Sequence, residues 1–155
     1  MTDATAPPAG RNTAEAAVAP LVTFTLPPVT RTDLALYAGA SGDHNPVHID
    51  IDAAMAAGLD DVIAHGMLSM AWAGRALEEV AGPGSVQAYR IRFTAPVRIG
   101  DRLTVTVTRA GEQQPDDTTP TDVDVLVANA EGQATARGTA RLSPHALSAA
   151  RSRST

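Results

Sequence analysis

The stretch that decides the fold is GMLSMAWAGRALEEV, residues 66–80. Its first three turns are apolar on nearly every side, and a helix of that kind is normally wrapped by other structure. Arg75, Glu78 and Glu79 mark its solvated end. The Gly-Pro-Gly run at residues 82–84 should terminate it. The sequence therefore predicts one long central helix that the rest of the fold has to cover.

The sequence that follows this helix alternates apolar and polar side chains with a period of two residues. The alternation covers residues 89–94, 103–108, 123–127 and 134–141, and it predicts antiparallel strands with one buried face. Residues 111–121, which include two prolines, predict a hairpin connection. A meander of strands curled around one helix is an α+β arrangement, and this is the fold class that we predict.

A strand and a short helix are predicted ahead of the central helix. Residues 22–26 predict the first strand, which the two following prolines close. Thr30 and Asp33 resemble a capping box with aspartate in place of the usual glutamate. The helix that they open should cover residues 31–40 and end at Gly42.

The segment between this helix and the central helix carries a loop and one further helical turn. Residues 43–50 predict a structured loop. Asp52 is placed to cap a second short helix over residues 53–57, which Gly58 would stop.

Composition limits the class of protein. The chain has 155 residues, which suits one domain, predicted at residues 21–142 between flexible tails at residues 1–20 and 143–155. Its formal charge of −5 argues against nucleic-acid binding. The absence of cysteine removes disulfides and thiolate nucleophiles, and the absence of lysine removes Schiff-base chemistry.

No apolar run reaches the roughly 20 residues of a membrane span, and the N-terminus lacks a secretory signal, so we expect a cytoplasmic protein.

The first candidate site is SGDHNPVH, residues 41–48. Asp43 and His48 lie on either side of an Asn-Pro turn, in which the asparagine satisfies local backbone groups and the proline fixes φ. Such a turn can aim a carboxylate and an imidazole at one place, as reversible addition of water requires. The alternative is an aspartate that caps a turn and a histidine that packs beside it. On composition alone, this structural interpretation is favoured.

The second candidate site is AHGM, residues 64–67. Gly66 falls where the central helix begins, so its amide N–H is free and the helix dipole is positive there, which suits a thioester oxygen that gains charge. A glycine needed only for close packing is the alternative. His65 and Met67 are interpreted as supporting residues, and Met67 also fits the core.

Three histidines and nearby aspartates raise the question of a metal site. His44 and His48 have the i, i+4 spacing of helical metal ligands, but the Asn-Pro between them breaks the helix that this spacing would need. We therefore predict no metal. His44 should face solvent, and His145, near the C-terminus, carries no signal.

Six short stretches together carry a resemblance to a known family. They are Thr30, YAG at residues 37–39, SGDHNPVH at 41–48, GL at 58–59, IAHGML at 63–68 and YRIRFT at 89–94. Here the sequence resembles the MaoC-like dehydratase family, which includes the (R)-specific enoyl-CoA hydratases, and within it looks most similar to mycobacterial 3-hydroxyacyl-ACP dehydratases. The two site motifs together outweigh the purely structural interpretations.

The resemblance implies a single hotdog fold, in which the sheet wraps the long helix, and a dimer. It implies that Asp43 and His48 form the catalytic pair, that the Gly66 N–H is the oxyanion donor and that Asn45 supports the loop. Some family members carry a serine on the central helix near the acyl tunnel. The corresponding position here is Gly74, which leaves the shape of the tunnel open.

The predicted reaction, which the resemblance implies, is syn hydration of a trans-2-enoyl thioester to an (R)-3-hydroxyacyl thioester, or the reverse, without a cofactor. The substrate would be an acyl-CoA or an acyl-ACP, and the assembly a homodimer or a heterodimer with a related hotdog subunit. Neither nucleic acid nor membrane is an expected partner. The alternatives are a hotdog acyl thioesterase, a non-catalytic subunit that shapes the acyl tunnel of a partner, and an acyl-binding module.

Overall fold

The long helix packs on one five-stranded antiparallel sheet. The structure is a computed structural model that describes residues 19–111, 118–144 and 146. Its elements are β1 Val22–Pro28, α1 Arg31–Ser41, a 3-10 turn Pro46–His48, α2 Ile51–Ala56, α3 Gly66–Ala81, β2 Val86–Phe93, β3 Arg102–Arg109, β4 Thr121–Ala128 and β5 Ala134–Leu142. The predicted α+β class is confirmed, and in the described ranges no helix is both long and apolar enough to cross a membrane.

The strands follow the order β1-β3-β4-β5-β2 across the sheet. Strands β3, β4 and β5 form the predicted meander. Strands β3 and β4 pair antiparallel, as a hairpin requires, and residues 112–117 of the predicted connection lie outside the described residues. Strand β2 pairs with β5 instead of with β3, which follows it in the chain. The sheet therefore has two edges, β1 and β2.

The period of two residues predicts the core correctly in the middle of the sheet. Leu103, Val105 and Val107 of β3 are fully buried, as are Val123 and Val127 of β4. Helix α3 covers this face and contacts β1, β2, β3 and β4. The buried face of α3 is formed by Leu68, Ser69, Ala73, Ala76, Leu77, Val80 and Ala81. The opposite side carries Met67, which is 53% exposed.

Strand β5 departs from the alternation at Thr135. The sequence predicts an outward side chain there, but Thr135 is 2% exposed and its hydroxyl donates a hydrogen bond to the Val127 carbonyl (3.3 Å). The register between β4 and β5 shifts at this point, from Val127 opposite Ala136 to Ala128 opposite Ala134. An extra residue in one strand turns the side chains beside it, which is how Thr135 comes to face inward.

Gly138 allows β5 and β2 to approach each other closely. A Cβ at this position would clash with the Arg90 carbonyl oxygen. Any side chain would push the two strands apart, so this glycine is required by packing.

Two local predictions are corrected by the structure. Strand β1 does not end before its prolines but continues through Pro28, because an edge strand tolerates residues that cannot donate to the ladder. The cap of α2 is Asp50 and not Asp52: Oδ1 of Asp50 accepts from the amides of Asp52 (2.9 Å) and Ala53 (3.2 Å). The helix thus covers Ile51–Ala56.

Other local predictions hold. The Thr30–Asp33 capping box is present, and α1 ends at Gly42, whose φ is 75°. Helix α3 begins at Gly66 and ends at the Gly82 cap, as predicted.

The predicted tails fall largely outside the described residues. Among the C-terminal residues that are described, Ser143 donates its amide hydrogen to the Ser85 carbonyl (2.8 Å) and Ala146 is 4% exposed in the core. The packed structure therefore includes residues beyond 142.

Candidate active site

The loop that carries Asp43 and His48 is held by its own side chains. The Asn45 amide donates to Asp43 Oδ1 (3.2 Å), and Asn45 Oδ1 accepts from the Val47 amide (3.3 Å). The His48 amide donates to the Asn45 carbonyl (3.1 Å), which closes a 3-10 turn with Pro46 at its start. Asn45 therefore sits at the centre of the turn, where the sequence places it as the support of the loop.

The imidazole of His48 has one nitrogen that is hydrogen-bonded and one, Nε2, that has no hydrogen-bond partner among the described residues. Its Nδ1 lies 2.7 Å from the Ile63 carbonyl oxygen. A carbonyl can only accept, so the proton is on Nδ1 and the lone pair of the neutral ring is on Nε2. His48 can thus bind or deprotonate a water molecule through Nε2 while Ile63 fixes its ring orientation.

Asp43, His48 and His65 converge although 22 residues separate the first from the last. One ligand atom from each side chain lies within 4.8 Å of the others. The rings of His48 and His65 stack, with centroids 3.9 Å apart and planes inclined by 31°. Asp43 is exposed, His48 is half-buried and His65 is fully buried.

These three side chains are of the types that bind metal ions, but His65 is poorly placed to do so. Its Nε2 is bonded to the Asp43 carbonyl oxygen (3.1 Å), and its Nδ1 is buried. Asp43 and Nε2 of His48 remain, which is fewer than the three protein ligands of a catalytic zinc site. The absence of a metal stays a prediction.

A cavity of about 320 Å³ opens beside His48. Gly66, at the first position of α3, lines it, and no described residue accepts a hydrogen bond from the Gly66 amide. The amide lies at the positive end of a 16-residue helix. The other lining residues are Ile63, Ala64, Ser69, Phe93, Ala95, Pro96, Val97 and Thr135.

Ser69, Phe93 and Thr135 line the cavity although the sequence does not identify them as site residues. Ser69 is a hydroxyl on the otherwise apolar start of α3, and that pattern could have identified it. Phe93 is predicted to face the core but is 45% exposed, and its ring packs against Gly66. Thr135 reaches the cavity only because of the register shift in β5, and the sequence carries no signal for it.

The remaining predicted residues lie elsewhere. Met67 is exposed, and neither Met67 nor Gly74 is among the described residues that line the cavity. Gly74 faces Tyr89, and a Cβ there would lie 3.9 Å from the tyrosine ring. Burial raises the pKa of Tyr89 to about 12, so this phenol stays neutral. His44 is exposed, as predicted, and His145 lies outside the described residues.

The site thus combines a carboxylate, an imidazole nitrogen and an amide at a helix N-terminus, and neither the nitrogen nor the amide is hydrogen-bonded to a described residue. The first two can move protons, and the third can stabilise an oxygen that gains negative charge.

The sequence profile of the MaoC-like domain family matches residues 15–131, most of the chain. The chain belongs to the MaoC-like family. The resemblance seen in the two site motifs is therefore confirmed.

Individual MaoC-like relatives agree with this assignment. An (R)-specific enoyl-CoA hydratase of Rhodospirillum rubrum is 41% identical over 85 residues, which are 54% of this chain and 59% of that protein. The 3-hydroxyacyl-thioester dehydratase Z of Mycobacterium tuberculosis is 30% identical over 89 residues, again 54% and 59% of the two chains. The chain thus spans about three fifths of the length of these relatives.

A solved structure extends the likeness over more of the MaoC-like chain. The R-hydratase PhaJ1 of Pseudomonas aeruginosa superposes with a TM-score of 0.70 and 34% identity, covering 79% of this chain and 78% of that one. The sheet order, the central helix and this superposition together confirm the predicted hotdog fold.

Proposed function

We propose that this MaoC-like protein catalyses the reversible hydration of a trans-2-enoyl thioester to a 3-hydroxyacyl thioester. The observation that carries the proposal is the placement of the site groups. Ligand atoms of Asp43 and His48 lie within 4.8 Å of each other, and His48 and Gly66 line the same cavity. The named hydratase and dehydratase relatives support the same reaction class.

Each group has a definite part in the reaction. Asp43 and His48 hold the water molecule whose oxygen bonds to C3 of the enoyl group. Between them they take one water proton and deliver a proton to C2, while the second water proton stays on the new hydroxyl. The Gly66 N–H stabilises the thioester oxygen, which becomes enolate-like as C3 is attacked. Dehydration is the same sequence in reverse, and no step needs a cofactor.

The expected product is the (R)-3-hydroxyacyl thioester. Incubation with crotonyl-CoA should lower the absorbance of the conjugated enoyl group without releasing a free thiol, and chiral analysis should show the (R) isomer. Release of thiol would favour the thioesterase alternative. A mainly (S) product would reject the assignment even if water is added, and no reaction with any enoyl thioester, on CoA or ACP, would favour a non-catalytic, acyl-binding role.

The substrate carrier is proposed to be coenzyme A or acyl carrier protein. Both carry negative charge, and the exposed arginines Arg90, Arg92, Arg98 and Arg102 could contact phosphates or an acidic surface. A panel of enoyl thioesters of different lengths on both carriers would identify the preferred substrate. We propose a cytoplasmic location, where both carriers occur.

We also propose that the protein works as a dimer. Among the described strands, β2 forms one edge of the sheet and ends at the exposed Phe93, which lines the cavity. A second subunit could therefore complete the sheet and the site together. Light scattering should give twice the chain mass of 16.0 kDa. An active monomer would contradict the proposal. An inactive chain that a related hotdog subunit activates would favour a heterodimer over a homodimer.

A further inference from the structure

His65 is fully buried beside the proposed catalytic pair, yet the mechanism gives it no proton to move. It lies in the segment of residues 63–65, which leads directly into α3. Several hydrogen bonds join this segment to the catalytic loop, residues 43–48.

The two segments exchange histidine bonds in opposite directions. His48 of the loop donates Nδ1–H to the Ile63 carbonyl (2.7 Å), and His65 of the segment donates Nε2–H to the Asp43 carbonyl (3.1 Å). The Ile63 amide adds a backbone bond to the Val47 carbonyl (3.2 Å). Each ring also packs on the other. The segments are thus held together at both ends of the catalytic loop.

The second ring nitrogen of His65 indicates that the hydrogen bond from Nε2 to the Asp43 carbonyl is more than a result of packing. Because Nε2 carries the proton, Nδ1 carries a lone pair, and that atom is buried without a hydrogen-bond partner in the described structure. An unpaired buried acceptor is unfavourable, and an apolar side chain would avoid it. The hydrogen bond from Nε2 is therefore what a histidine provides here and an apolar side chain would not.

His65 is also bonded to both halves of the proposed site. Its ring holds the backbone of Asp43 and lies against the ring of His48, and its own peptide carbonyl is joined to the Gly66 amide. A change in the orientation of His65 would therefore move the acid/base pair and the oxyanion donor relative to each other. Such misplacement is costly in catalysis, because reacting groups must meet in a narrow geometry.

We propose that His65 is a positioning residue that fixes the distance between the Asp43–His48 pair and the Gly66 amide. The proposal rests on the proposed function for its catalytic consequence, whereas its structural part stands on the contacts alone. It predicts opposite tautomers for the two stacked rings: a proton on Nδ1 in His48 and on Nε2 in His65.

Two variants test the hydrogen-bond donor of His65 separately from its aromatic ring. His65→Phe keeps a ring against His48 and Tyr37 but removes the donor, whereas His65→Gln keeps a donor near the Nε2 position but removes the ring. We expect His65→Phe to lower kcat by about 10–100-fold with KM changed by less than about 3-fold, as for the loss of an orienting partner. His65→Gln should recover most of kcat.

Two spectroscopic measurements test the contacts independently of the activity. Long-range ¹⁵N NMR of the wild-type imidazoles should show the two opposite tautomers. Hydrogen exchange of the His48 and Ile63 amides should be faster in His65→Phe, while amides in the middle of β4 are unchanged. Val123→Ala, a buried truncation in β4, is the control for general loss of stability and should leave kcat unchanged below its melting temperature.

The outcomes test the positioning role of His65 and the proposed hydratase function separately. Full activity of His65→Phe per folded molecule, or unchanged exchange at His48 and Ile63, would overturn the positioning role. Equal loss of kcat in His65→Gln and His65→Phe would show that the bond to Asp43 is not the element that matters, and would also overturn it. A wild-type protein that hydrates no enoyl thioester would reject the proposed function, and the tautomers and exchange rates would still decide the positioning role.

Discussion

Replacing Asp43 by asparagine or His48 by alanine should lower turnover by roughly 10²–10⁴-fold in each case, the usual contribution of a positioned acid or base. Asparagine retains an oxygen that can accept from the Asn45 amide, so the turn should survive and the loss should reflect the missing charge. Alanine at position 48 removes both the free Nε2 and the bond to the Ile63 carbonyl. Initial rates with crotonyl-CoA, together with melting curves, measure both effects.

The double variant should be little slower than the slower single variant. Groups that act as a unit are non-additive, because the second substitution removes a partner that has already lost its function. His44→Ala is the matched control, since His44 is the exposed histidine next to Asp43. It should retain normal turnover. If the protein without both Asp43 and His48 still turns over at a near-normal rate, this mechanism is wrong.

The parts of the fold that local sequence determines are predicted well. The start of α3 at Gly66, the Thr30–Asp33 capping box and the Asn-Pro turn each depend on residues within a few positions of one another. The alternation in β3 and β4 is equally local, because a strand in the middle of a sheet shows one face to the core along its whole length.

The features that the sequence does not predict depend on contacts between distant residues. Thr135 faces the cavity because the register between β4 and β5 shifts, whereas a prediction from period-two alternation assumes a constant register. The bond from His65 to the Asp43 carbonyl joins residues far apart in the chain, and a backbone carbonyl is not visible as a motif. The wrong prediction of Asp52 as the cap of α2, where the structure has Asp50, has a local cause. Two aspartates two positions apart give nearly the same sequence signal.

Gly66→Ala should lower turnover by about 10–100-fold, somewhat less than the complete loss of an oxyanion donor. The amide would remain, but the added Cβ would lie 3.0 Å from the Phe93 ring, so the ring must move within the cavity that the substrate is proposed to enter. Stability should fall by no more than about 1–2 kcal/mol, a common mutational cost. The backbone of Gly66 is helical and the ring is 45% exposed, so the ring can yield.

Gly82→Ala is the control for this last prediction because it affects the other end of the same helix, about 24 Å away at 1.5 Å per residue. Gly82 has φ 88° and ψ 159°, a conformation open essentially to glycine alone, so alanine there should cost about 1–3 kcal/mol of stability. Its turnover per folded molecule should be unchanged. A melting curve and a rate for both variants separate the two effects. If Gly66→Ala is fully active once folded, the amide is not the oxyanion donor, and the glycine serves only the packing of Phe93 against the start of α3.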